Sequence, residues 1–178
     1  MQVYGEQHPD IAMSYNNIGG VYSSQGDCRQ ALEYYEKALQ IQKLVYGWQH
    51  PTIAMSYHNI GSVYDEKGEY TQALEYYEKA LQILLQVYGE QHPSVATSYN
   101  NMGAVYDSQG DYTHALSYYE KALQILLQVY GEQHPSVATS YNNIGGVYNS
   151  QGNYRQALLY YEKALQIRFQ VYGEQHHS

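Results

Sequence analysis

The sequence is short of the features that mark secreted, nucleic-acid-binding and membrane proteins. It has one cysteine, Cys28, in 178 residues. No internal disulfide can form, which fits a reducing compartment. Nine Lys and Arg stand against 17 Asp and Glu, a net charge of −8. Phosphate backbones and anionic lipids are held by clustered cations, so this balance argues against nucleic acid and membrane as partners. The longest aliphatic runs, Ile83-Leu84-Leu85 and its copy at Ile125, are far below the ~20 apolar residues that span a bilayer. No signal peptide precedes Gln2, and the expected location is intracellular and cytoplasmic. Aromatic variety is missing too: one Trp and one Phe accompany 24 Tyr. That skew suggests one tyrosine-rich unit copied several times.

The copies are easy to find. The segment YGEQHPSVATSYNN occurs at Tyr88 and again at Tyr130, with near copies at Tyr4 and Tyr46. Gly5, Gly47, Gly89, Gly131 and Gly173 are spaced 42 residues apart. A fixed period of this size predicts a solenoid of stacked units. The expected units are 2–43, 44–85, 86–127 and 128–169 within one array, with 170–178 opening a fifth.

Each unit reads as two helices. The first begins at His-Pro, where proline suits the first turn because its missing N–H has no intrahelical partner there. Asp10, Thr52, Ser94 or Ser136 is expected to serve the free amides. Tyr15, Ile18, Gly19 and Tyr22 follow at i, i+3, i+4 and i+7, one face of a helix. Gly26, Gly68, Gly110 and Gly152 stop this helix. The second carries Ala31, Leu32, Tyr35, Ala38, Leu39 and Ile41 and stops before Gly47. Glu33–Lys37 and Glu75–Lys79 are i,i+4 pairs in the favourable order. The repeated segment is therefore a connector between helix pairs.

Tyr15-x2-Ile18-Gly19-x2-Tyr22 followed by Ala31-x3-Tyr35-x2-Ala38 resembles the tetratricopeptide repeat, and all four units keep the spacing. The usual period is about 34 residues. The longer unit here, with its His-Pro opening and Asn-Asn pair, resembles the repeats of kinesin light chains. The resemblance implies an all-α, right-handed solenoid of four stacked antiparallel helix pairs, a superhelix that binds protein segments.

In that frame the face of each first helix opposite Tyr15, Ile18, Gly19 and Tyr22 is the concave, ligand-facing one. It holds Asn16 and Asn17, His58 and Asn59, Asn100 and Asn101, and Asn142 and Asn143. It carries no Lys or Arg, and its acidic edge is Asp65, Glu66 and Asp107. Planar amides offer a donor and an acceptor together. A ladder of them can hold the backbone of an extended peptide, or can bond within the stack. The missing cations argue against the chaperone carboxylate clamp found in this family, and against the acidic peptides of kinesin light chains.

Other residues look chemical and have structural readings. His8, His50, His92 and His134 recur too far apart to share a metal, since stacked helices lie roughly 8–10 Å apart and zinc needs ligands at ~2 Å. They read as helix-start residues, and His176-His177 stands where His-Pro would recur. Cys28 takes the place of Tyr70, Tyr112 and Tyr154 and reads as a packing substitution. Trp48 replaces Glu90 and Glu132 in the connector. No catalytic, metal-binding or cofactor-binding constellation is expected, and no enzyme activity. Two functions remain: a protein-interaction scaffold for an extended peptide, and a self-associating array. The second rests on apolar residues expected at the two ends with no capping unit: Tyr15, Ile18 and Tyr22 at one, and Leu158, Leu159, Leu165, Ile167 and Phe169 at the other. Such head-to-tail contact is heterologous and can propagate.

Overall fold

The computed structural model describes residues 8–173. The first copy of the connector at Tyr4–Gln7 and the terminal His176-His177, with most of the expected fifth unit, lie outside the described residues. Among the described residues there are eight α-helices and no strand: α1 (Pro9–Ser24), α2 (Cys28–Tyr46), α3 (Pro51–Glu66), α4 (Tyr70–Tyr88), α5 (Pro93–Ser108), α6 (Tyr112–Tyr130), α7 (Pro135–Ser150) and α8 (Tyr154–Gly173). None of them is long and apolar enough to cross a membrane. They form two compact units, Met1–Gly89 and Glu90–Ser178. Each holds two helix pairs. In the first, α1 packs on α2, α3 on α4, and α2 on α3; in the second, α5 packs on α6, α7 on α8, and α6 on α7.

The helix starts differ from the sequence expectation in one instructive way. The side chain that caps each first helix is the histidine. The Nδ1 atoms of His8, His50, His92 and His134 accept the amides of Asp10, Thr52, Ser94 and Ser136, at 3.1–3.3 Å. The residue expected to cap is thus the one whose amide is capped. Tyr46 and Tyr130, at the ends of α2 and α6, stack on the rings of His50 and His134 at 4.5 and 4.1 Å. One connector therefore closes one helix and opens the next through a ring pair. Inside each pair the turn is a Schellman motif. After α1, Gly26 has φ +75°, its N–H donates to Ser23 and that of Asp27 donates to Tyr22, both at 2.9 Å. Asp27 then caps α2 by accepting from the Gln30 amide at 3.1 Å.

The core is built from small residues against tyrosine rings. Ala31, Ala38, Ala73, Ala80, Ala115 and Ala122 are fully buried. The ring of Tyr35 lies directly on Gly19: a Cβ there would stand 2.8 Å from the ring carbons. Gly103 and Tyr119 repeat the arrangement at 2.9 Å. This contact, more than helix propensity, is the reason for glycine in mid-helix. In the second compact unit, Ile144 and Val147 of α7 pack on Ala115 and Tyr119 of α6.

The remaining tyrosines form a second, semi-exposed layer. Tyr22 stacks on Tyr34 with centroids 5.5 Å apart, and Tyr64–Tyr76, Tyr106–Tyr118 and Tyr148–Tyr160 repeat the pair at 5.4–5.6 Å. Lys37, Lys79, Lys121 and Lys163 place their ammonium groups 4.6–5.1 Å from the ring centres of Tyr34, Tyr76, Tyr118 and Tyr160. Each such cation–π contact contributes ~0.5–1 kcal/mol at an exposed site. The excess of tyrosine is thus structural in origin.

Candidate interaction surface

The asparagine pair that opens the candidate face does not act as a pair. Consecutive helical residues differ by about 100° in direction. Asn17 is exposed, and Asn59, Asn101 and Asn143 are half-buried. In the first unit Asn17 and Asn59 line a groove of about 540 Å³ on the shared face of α1 and α3, together with Asn16, Gly20, Val21 and Met55. Its floor includes Tyr35, a residue the sequence presents only as core. The ring is buried, but the hydroxyl comes up beside Gly20, 3.6 Å from where a Cβ would be.

In the other series, His58 and Asn142 meet the second helix of their own pair, while Asn16 also lines the groove. His58 is set against the ring of Tyr77, with centroids 5.5 Å apart. Burial pushes its imidazole down to about 4, because the charged form loses water that the site does not replace. It is therefore a neutral, packed group at pH 7. Tyr77 is pushed up to about 12, first by burial and then by the nearby charge of Asp65. The Asp65 carboxyl is itself raised, by burial and then by Glu66. Glu66 accepts from the Ser23 hydroxyl of α1 at 3.2 Å, tying the two first helices of this unit together.

In the second unit the seam residues are less well satisfied. The side-chain oxygen of Asn100 is buried without a hydrogen-bond partner, as is one carboxylate oxygen of Asp107. The oxygen of Asn16 in the first unit is in the same state. Burial raises the Asp107 carboxyl above its usual range. Asn142 differs. With its amide turned so that the oxygen faces α8, it accepts from both terminal nitrogens of Arg168, at 3.1 and 2.6 Å. Neither the orphaned oxygens nor this guanidinium was foreseen, because all depend on the second helix of the pair.

The residues expected at the two ends separate into three groups. Ile18 is 38% exposed, where its counterparts Ile60 and Ile144 are fully buried, and Leu165 is 51% exposed, where Leu39 and Leu81 are buried. Leu158 and Phe169 are also exposed. Tyr15 and Tyr22 do not face an end. They are half-buried and pack on Tyr34 of their own pair, at 5.9 and 5.5 Å. Ile167 is corrected as well: it is buried, on the side of α8 that carries Ala164. Leu159 is exposed, but so are its counterparts Glu33, Glu75 and Ser117, so it stands on an ordinary solvent face. Tyr161 of the last helix is likewise exposed where Tyr35 and Tyr77 are buried, and sequence reasoning missed Val21, which is exposed where Val63 and Val147 are buried.

Among the described residues no group of three or more His, Cys, Asp and Glu side chains could hold a metal ion. Cys28 is a half-buried free thiol at the first position of α2. Trp48 is exposed, with the Lys43 ammonium 4.4 Å from its ring centre and 5.3 Å from that of Tyr57.

Comparison with known proteins accords with this architecture. No curated protein matches the chain. Solved structures do. BtubC (BKLC) from P. vanneervenii is 28% identical and superposes with a TM-score of 0.84, over 97% of this chain and 69% of that one. A kinesin light chain-like protein of Podosopora anserina, with nearly identical TPR-like repeats, superposes with a TM-score of 0.76 over 96% of this chain and 80% of its own. At 23% identity that likeness concerns the fold alone. MamA is 25% identical, with a TM-score of 0.65, over 93% and 82%. The family model of the tetratricopeptide repeat matches residues 1–44, 52–128 and 108–168. With four helix pairs of this type in line with that match, the chain belongs to the tetratricopeptide-repeat family of α-solenoid proteins.

Proposed function

We propose that this chain is a protein-interaction scaffold that holds an extended segment of another protein on the faces of its first helices. The observation that carries the reading is the groove between α1 and α3, with the amides of Asn17 and Asn59 and the apolar Val21 and Met55 around it. An extended backbone needs donors and acceptors spaced along it, with apolar contacts between them. The groove has both, and tetratricopeptide domains typically bind proteins. Within the second unit, Asn101 and Asn143 carry the same amide chemistry on α5 and α7. Catalysis has no part in this reading. The test is capture of a binding partner by the intact chain, followed by Asn17→Ala with Asn59→Ala. Weakened capture with an unchanged melting temperature supports it. A large fall in melting temperature assigns the asparagines to the stack instead.

The end faces favour a second reading, association of copies head to tail. Ile18 and Val21 are exposed counterparts of Ile144 and Val147, which pack on Ala115 and Tyr119. Tyr161 offers α8's counterpart of that Tyr119 surface, 37% exposed. Sedimentation of the intact chain against Leu165→Lys measures this. A mass that rises with concentration in the parent chain but not in the variant supports stacking; a constant monomer rejects it.

A further inference from the structure

Two of the histidine caps sit inside a compact unit as joints between helix pairs: His50 between α2 and α3, and His134 between α6 and α7. Each ring works on both sides at once. Its face stacks on the last tyrosine of the helix before, Tyr46 or Tyr130. Its Nδ1 accepts the amide of Thr52 or Ser136, at 3.3 and 3.1 Å. An imidazole nitrogen accepts only while it is bare, so the ring proton of the capped form is on Nε2. A second proton has to go to Nδ1, where the amide hydrogen already points. Capping and protonation therefore exclude each other at one atom. Serine, threonine and asparagine, which usually hold this position, have no such conflict near neutral pH.

We propose that His50 and His134 are proton-operated joints: a proton taken from solvent at Nδ1 releases the first turn of α3 and of α7 as the pH falls through the histidine range. Both rings stand at helix N-termini, where the positive end of the dipole opposes an imidazolium. Neither forms an ion pair among the described residues. The charged groups of the same neighbourhoods are engaged elsewhere. Lys43 of α2 lies over the rings of Trp48 and Tyr57, and Glu132 and Lys163 gather about Tyr141. His8 differs, because Asp10 stands 3.5 Å from its Nδ1 and can pair with a charged ring; Thr52 and Ser136 hold that place at the joints. The Thr52 hydroxyl, 2.8 Å from Nδ1 of His50, can accept from the protonated ring, but the Thr52 amide is then left without its acceptor. The stack is not what breaks, since a tyrosine face also receives a cation. What is lost is the bond that starts the next helix. In the second unit that turn borders a cavity of about 260 Å³, lined by Tyr130 and Ser136 themselves with Thr97 and Thr139, so its release reshapes the cavity wall. This behaviour does not depend on which partner the chain holds.

The experiment follows the intact chain by NMR from pH 7.5 to pH 5.5, with His50→Asn and His134→Asn as variants. Asparagine is a good cap and does not titrate. A free imidazole passes from mostly neutral to mostly charged over that range. In the parent, protection of the Ser136 amide from solvent exchange, corrected for the intrinsic effect of pH, should fall by up to about tenfold. Its midpoint should coincide with the titration of the His134 ring nitrogens, and Thr52 should follow His50 in the same way. In His134→Asn, Ser136 should keep its protection while Thr52 still loses it; His50→Asn should show the reverse. The melting temperature of the parent should fall further on acidification than that of the double variant, since His58 and the carboxylates are common to both. An amide that keeps its protection while its ring takes up a proton overturns the inference, as does a ring that stays neutral down to pH 5.5. Equal loss of protection in parent and variant places the pH effect elsewhere and overturns it too. If the variants fail to fold, the parent decides alone, by whether ring and amide titrate together.

Discussion

His58 offers a quantitative check on the seam between first and second helices. Its counterparts are Asn16, Asn100 and Asn142, so His58→Asn replaces it with the residue that the other repeats use. In the fold the imidazole is held at about 4 by burial; in the unfolded chain it returns to about 6.5. The folded value is the depressed one, so the neutral side chain supports the fold fully above about pH 6.5. That support is lost as pH falls towards 4, because the unfolded state gains a proton that the folded state refuses. Linkage puts the loss at about 2 kcal/mol at pH 5 and about 3 kcal/mol below pH 4. Urea unfolding of the parent and of His58→Asn at several pH values between 7 and 4 isolates this contribution, because the carboxylates and the capping histidines are common to both. The parent should lose about 2 kcal/mol more than the variant between pH 7 and pH 5. At pH 7 the two should differ by less than about 1 kcal/mol, the scale of one ring contact. Parallel pH profiles would show that His58 is solvated in the fold and that the burial argument is wrong.

Two further expectations concern the repeat itself. Gly103→Ala puts a Cβ 2.9 Å from the Tyr119 ring, and should cost ~1–3 kcal/mol of unfolding free energy; Tyr119→Leu in the same chain should recover part of that loss if ring contact is the cause. His134→Ala removes the cap on the Ser136 amide and should lower stability by ~1 kcal/mol, whereas Ser136→Ala, which keeps the backbone amide, should change it far less; equal effects would return the cap to the serine.

The period, the eight helices and the identity of most core residues were legible in the chain itself. Gly19, Tyr22, Ala31 and Tyr35 recur at helical spacing in every unit, and such spacing sets which side of its own helix a residue occupies. Burial is a property of two surfaces, and the second surface is supplied by another helix. Asn16 and Asn17 are neighbours in sequence with the same side chain and both line the groove, yet Asn16 is the more buried, because α2 stands on one side only. Tyr161 and Val21 repeat buried residues letter for letter and are exposed, because no packed helix covers them. Ile167 is buried although it was expected at an end, since it lies on the other side of α8. The capping role of the histidines was hidden for a related reason. His, Pro and a small polar residue all suit a helix start, and only the placement of Nδ1 against the amide decides which side chain accepts. The Arg168–Asn142 contact depends on tertiary structure in the same way: sequence shows an arginine where other repeats have Gln42, Leu84 or Leu126, and only the packing of α8 on α7 brings its guanidinium to an amide 26 residues away.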